Sequence, residues 1–175
     1  MSGDETPGRR RTTLALAFAA VGLTVDQVTK VLAVRELTDR DPVEVVGTLL
    51  QLVLVYNPGA AWGAGSSITP VITAIAIVAT VVVLWQITKV RHVGWAVALG
   101  LLLAGVAGNL TDRMLRDPGP FRGHVVDFLA LPNFPVFNVA DMCINVAGVL
   151  LVVLLFRGIG VDGTRESREQ EVSPR

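Results

Sequence analysis

The chain has 175 residues, is 51% hydrophobic and 17% charged, and balances 15 basic against 15 acidic residues. A soluble domain is typically roughly 25% charged, so this composition excludes an ordinary soluble globule and points to a membrane protein of one domain. Zero net charge leaves no basic field for nucleic acid, and one cysteine, Cys143, excludes an internal disulfide. With only His92 and His124 besides, far apart in sequence, a zinc site is disfavoured and no metal is expected.

Residues 1–11 are polar and read as a disordered N-terminus. Arg9-Arg10-Arg11 before the apolar residues 14–25 resembles a cleavable leader, with Ala17-Phe18-Ala19 as a cleavage-like site. Apolar character resumes after Lys30 and three further spans follow, so this segment reads as a first transmembrane helix over residues 12–34. Spans two to four cover residues 69–87, 94–114 and 138–156. Pro70 sits at the start of span two, where a missing N–H is harmless. The four-span membrane domain is thus residues 12–157, and the charged residues 158–175 read as a flexible tail.

Basic residues set the orientation. Arg9, Arg10, Arg11, Lys89, Arg91, Arg157, Arg165, Arg168 and Arg175 fall on one side, and Arg35, Arg40, Arg113, Arg116 and Arg122 on the other. The larger set places both termini in the cytoplasm. Trp85 and Trp95 bracket the short inner loop as interfacial anchors. Two longer loops, residues 35–68 and 115–137, then face outward. In the first, Val43-Glu44-Val45-Val46 and Leu52-Val53-Leu54-Val55-Tyr56 are β-rich runs split by Gly47, suited to a small surface sheet. Asn57-Pro58-Gly59-Ala60-Ala61-Trp62-Gly63 follows as a turn of small residues that lets a ligand approach the backbone. Gly94, Gly100, Gly105 and Gly108 in span three read as tight helix packing.

Polar residues interrupt the spans at one depth. Asp26 and Lys30 share a face of span one, and a rise of about 1.5 Å per residue puts Asp26 roughly 12 Å below the outer end of that helix. Asn109, Asp112 and Arg113 close span three; Asn138, Asp141 and Asn145 share a face of span four. Taken singly, each has a bland reading: an ion pair for Asp26–Lys30, an interhelical hydrogen bond for Asn109, a helix-end pair for Asp112-Arg113, packing for Cys143, a solvated loop residue in His124. Their convergence on the outer leaflet argues for a site. Asp127 and Asp141 lie fourteen positions apart, with Pro132, Asn133 and Pro135 turning the chain between them. Two carboxylates at close range share a proton, so one can act as base on water while the other polarises a carbonyl.

The ordered set Asp26-x-x-x-Lys30, Asn57-x-Gly59-Ala60-Ala61, Gly108-Asn109-x-x-Asp112-Arg113, Gly123-x-Val125-Val126-Asp127-Phe128 and Phe137-Asn138-x-Ala140-Asp141 resembles bacterial lipoprotein signal peptidase, signal peptidase II. The resemblance implies an all-α membrane protein of four helices, with a small extracytoplasmic β cradle and a short surface helix near the third span–loop junction. It implies an intramembrane aspartic endopeptidase of the bacterial cytoplasmic membrane, without cofactor, cutting diacylglyceryl prolipoproteins on the N-terminal side of the lipidated cysteine. Asp127 and Asp141 would be catalytic. Asn57, Gly59, Asn109, Arg113, Asn138 and Ala140 would line the site, with Asp26, Lys30 and Asp112 supporting it. Partners would be substrate, membrane lipid and globomycin-type inhibitors, on a monomer. The family's usual phenylalanine is Trp62 here, Pro58 stiffens its turn, and residues 115–122 are long. Two rival readings are an ion- or proton-coupled transporter using Asp26 and Lys30, and a membrane subunit without chemistry.

Overall fold

The computed structural model describes residues 10–59 and 68–164. In chain order these form α1 (Thr12–Leu37), β1 (Val43–Val46), β2 (Leu50–Asn57), α2 (Thr69–Ile87), α3 (Val93–Leu115), β3 (Val125–Ala130) and α4 (Val139–Phe156). All four helices are long and apolar enough to cross a membrane. Their ends follow local chemistry. Pro70 opens α2, the His92 side chain accepts from Gly94 N at the start of α3, and Asn138 caps α4.

The hub is α3, buried along half its apolar length while the other three helices are mostly exposed. Lipid supplies no hydrophobic drive between helices, so α3 must gain its contacts by close approach. Gly105 shows how: a Cβ there would fall 2.6 Å from Ile144 Cγ1 and closer still to the Ala140 carbonyl oxygen. The expected packing role of the span-three glycines is met. At one end, Ala15, Ala19, Val83, Ile87, Trp95 and Leu99 join in a core shared by α1, α2 and α3.

At the other end lies an antiparallel sheet in the order β1-β2-β3. Val43 pairs with Leu52, and Val55 pairs with Asp127. The runs expected to form a surface sheet do pair, and the second long loop adds the third strand. Val126 and Phe128 of β3 pack on Ala33 and Leu37 of α1, seating the sheet on the bundle. Val125 to Phe128 are all buried, so β3 has no solvent face and no alternation to betray it.

Two expectations are corrected. No surface helix follows α3 among the described residues. Residues 116–124 form successive turns, with Gly119 N donating to Arg116 O and Arg122 N to Gly119 O. Pro118, Gly119 and Pro120 explain this, because Pro lacks the N–H and Gly119 has φ +130°. The tail is also not loose from residue 158. Gly158 at φ +63° reverses the chain, Trp95 Nε1 donates to Ile159 O at 2.8 Å, and Arg91 N donates to Val161 O at 2.9 Å. Ile159 and Val161 pack against the core. The expected disorder of residues 1–9 and 165–175, and the turn residues Ala60, Ala61, Trp62 and Gly63, lie outside the described residues.

Candidate active site

The site grows from the first turn of α4. The Asn138 side-chain oxygen accepts from Asp141 N at 3.0 Å, and Asp141 Oδ2 accepts from Asn138 N at 3.1 Å. This reciprocal capping box fixes the Asp141 carboxylate against the helix start. Asp127 arrives from β3, opposite Val55, and is 2% exposed. Its Oδ1 accepts from Asn138 Nδ2 at 2.6 Å and its Oδ2 from Asn57 Nδ2 at 2.9 Å. One residue, Asn138, therefore touches both acids.

Asn57 ends β2, and its side-chain oxygen accepts from Gly59 N at 2.9 Å. Gly59 has φ +126°, a backbone conformation open to glycine. Asn109 of α3 donates to Asp141 Oδ1 at 2.9 Å and accepts from Lys30 Nζ at 2.9 Å. The Lys30 ammonium also meets Asp26 Oδ2 at 3.0 Å and Asp112 Oδ2 at 2.9 Å, all three side chains being buried. Its three N–H donors are thus all used. Asp26 Oδ1 accepts from the backbone N–H of buried Ala140 at 2.8 Å, tying α1 to α4. Asp112 Oδ2 accepts from Val126 N at 3.2 Å, tying α3 to β3.

Arg113 does not form the helix-end pair with Asp112 and instead sits where the motif implies, at the site. It is buried, facing Asp127, Asp112 and Asp141, and its Nη1 has no hydrogen-bond partner among the described residues. That nitrogen lies 3.4 Å from where a Cβ on Gly59 would sit. Asp112 pairs with Lys30 and Arg116, not with Arg113.

Burial pushes the Asp127 carboxyl up, to about 6; the Asn57 hydrogen bond opposes this, nearby Asp141 adds to it, and Asn138 and Lys30 oppose it. A carboxyl so placed can hold or yield a proton near neutral pH.

The described residues expected at the site are gathered here, from the three helices α1, α3 and α4, the strands β2 and β3, and the turn at Gly59. Two supports were missed: Arg116 Nε, 2.7 Å from Asp112 Oδ1, and Gln27, whose Nε2 meets Asp26 Oδ2 at 3.0 Å and Gly108 O at 3.1 Å. The i,i+4 spacing of Asp112 and Arg116 carried the first; nothing in the spacing carried the second. Cys143 packs where α1 meets α4, its sulfur 3.6 Å from the Cβ position on Gly22.

The family profile described as signal peptidase (SPase) II matches residues 18–157. The chain belongs to the signal peptidase II family. It is 44% identical over 161 residues to a lipoprotein signal peptidase of Streptomyces coelicolor, spanning 92% of this chain and 79% of that protein. It is 45% identical over 163 residues to that of Mycobacterium avium, spanning 92% and 90%. A bacterial membrane enzyme solved by the in meso method at 2.3 Å superposes with TM-score 0.76 and 28% identity, covering 97% of this chain and all of that one. As a signal peptidase II family member with four membrane-length helices, the chain is a membrane peptidase.

Proposed function

We propose that this peptidase is an intramembrane aspartic endopeptidase that removes the signal peptide from diacylglyceryl-modified prolipoproteins, cutting on the N-terminal side of the lipidated cysteine. The observation that carries the reading is the meeting of Asp127 and Asp141 on Asn138. One carboxyl takes a proton from water as its oxygen attacks the scissile carbonyl, and the other donates to the carbonyl oxygen. The relatives' name supplies the substrate class, and the polar layer supports it. Acyl chains on the cysteine stay in the bilayer, so the scissile bond lies near the interface. Asn57, Gly59, Asn109, Arg113, Asn138 and Ala140 line the place for an extended peptide, a place that also suits globomycin-type inhibitors. With both termini cytoplasmic, the site faces the outer rim of the membrane and works in a monomer.

Asp26, Lys30 and Asp112 act as supports. Lys30 has no spare donor and Asp26 holds the α4 backbone, which disfavours an ion carrier built on this pair. The test is cleavage of one diacylglyceryl prolipoprotein by the wild type and by Asp127→Asn and Asp141→Asn. Both variants are expected to insert, fold and lose cleavage. Normal processing by both would end the enzyme reading, and proton-coupled flux without cleavage would favour the carrier.

A further inference from the structure

We propose that Asn145 is a substrate-binding residue, an inference that rests on reading Asp127 and Asp141 as the catalytic pair of a prolipoprotein peptidase. Its side-chain amide pairs with the backbone of the signal-peptide segment about two residues before the scissile bond, and holds that stretch extended in the gap between α2 and α4. Asn145 is a polar group in an apolar solvent. At a rise of about 1.5 Å per residue it lies about 10 Å below the Asn138 cap of α4, and it is exposed, as are Val146 and Val149 beside it. Its Nδ2 donates to Asp141 O at 3.0 Å. Its side-chain oxygen and second N–H have no partner among the described residues. Hydrocarbon offers them none, so an amide kept here marks a place where another polar group arrives.

The face it occupies is the one that holds an acid. The buried line of α4 runs through Ala140, Ala147 and Leu154. On one flank of that line Cys143 meets Gly22 of α1, and on the other Ile144 meets Gly105 of α3. At about 100° per residue, Asp141, Asn145, Gly148 and Val152 fall within about 60° of one another, beyond Ile144 and away from α1. Val152 is exposed, and a Cβ on Gly148 meets nothing within 4 Å. Among the described residues α2 packs on α3 but does not touch α4, whereas α1 touches both α2 and α4. The bundle is thus open between α2 and α4, with α3 as the floor. Asn145 stands on the wall of that gap, one turn from Asp141.

A signal peptide crosses the membrane as an apolar segment, and the residues before its scissile bond lie deeper than the lipidated cysteine. To enter the site, that stretch exchanges helix for extended backbone. The change frees N–H and C=O groups inside hydrocarbon, where no water replaces their lost partners. Asp141 and Asn145 are one helical turn apart, about 6 Å along the axis, the length of about two residues of extended chain. A peptide with its scissile carbonyl at the acids therefore brings a backbone group two residues earlier to the free side of Asn145. One amide serves either kind of group, because it both donates and accepts. A second copy of this chain is the other occupant that an exposed intramembrane amide attracts. The bond to Asp141 O turns the Asn145 amide toward the site, and the open Gly148 position extends the same path, which favours substrate.

The test is a coupling cycle on a synthetic diacylglyceryl prolipopeptide. Cleavage is measured for the wild type, Asn145→Leu and Asn145→Ala. The substrates are the all-amide peptide and two peptides in which one backbone amide, two or three residues before the scissile bond, is an ester. Each variant is expected to lose roughly three- to tenfold in kcat/KM on the all-amide peptide, with thermal unfolding in detergent unchanged or raised. One ester is expected to slow the wild type by a similar factor and to slow the variants no further, because the partner is already gone. Losses that multiply at both ester positions, or wild-type kcat/KM in both variants, overturn the inference. A dimer that falls apart in Asn145→Leu without coupling to the substrate overturns it too, and assigns the amide to a second copy. A wild type that cleaves none of the peptides would instead refute the proposed function.

Discussion

Consider Gly105→Ala. The added Cβ would stand 2.6 Å from Ile144 Cγ1, about 0.8 Å short of ordinary contact, and nearer still to the Ala140 carbonyl. The obstacle on that side is backbone, which cannot rotate away, so α3 and α4 must separate. The Asn109–Asp141 hydrogen bond, 2.9 Å long, bridges the same two helices one turn further on. A separation of about 0.8 Å stretches it to roughly 3.7 Å, beyond hydrogen-bonding range. Overpacking of this kind costs about 1–3 kcal/mol, and misplacing a catalytic group by about an ångström can cost roughly a hundredfold in rate. The control is Gly148→Ala on α4, where a Cβ meets nothing within 4 Å. Thermal unfolding in detergent and cleavage of a lipidated prolipopeptide should separate the two. The expected result is a destabilised, at least tenfold slower Gly105→Ala enzyme and an unchanged or slightly stabilised Gly148→Ala enzyme. Wild-type stability and rate in Gly105→Ala would refute the claim that helix spacing sets the site.

Lys30→Met leaves Asp26 and Asp112 buried without their shared cation, and should cost about 3–5 kcal/mol by thermal unfolding; adding Asp26→Asn should recover part of it. The folded Asp127 carboxyl at about 6 lies above its ordinary 3.8, so the native state binds that proton more tightly. Its contribution is present below about 3.8 and lost as pH climbs through about 6, a loss of about 3 kcal/mol that Asp127→Asn should flatten in unfolding measured from pH 4 to 7. Trp95→Phe removes the donor to Ile159 O, and should cost about 1 kcal/mol while leaving kcat unchanged, because that contact lies at the helix end far from the acids.

The spans were legible because about twenty apolar residues are needed to cross lipid, and four stretches satisfy that while their polar interruptions cluster at one end. Asp127 and Asp141 were legible because an acid beside a membrane span is costly and needs a reason. Arg113 was legible as a site residue only through the motif, because a basic residue at a span end ordinarily snorkels and its spacing alone does not reveal its burial. The sheet's third strand was missed because burial of both its faces erases the alternating pattern. The docking of residues 158–164 was missed because backbone groups make most of its hydrogen bonds, and those leave no mark in side-chain periodicity.

The two acids ride on different elements, one on the three-stranded sheet and the other on the helical scaffold. Asn138 is the pin at that joint, gripping a carboxyl on each side. Because Val126 and Phe128 also rest on α1 and Asp112 holds the Val126 backbone, the gap between the acids is set by how the sheet lies on the bundle.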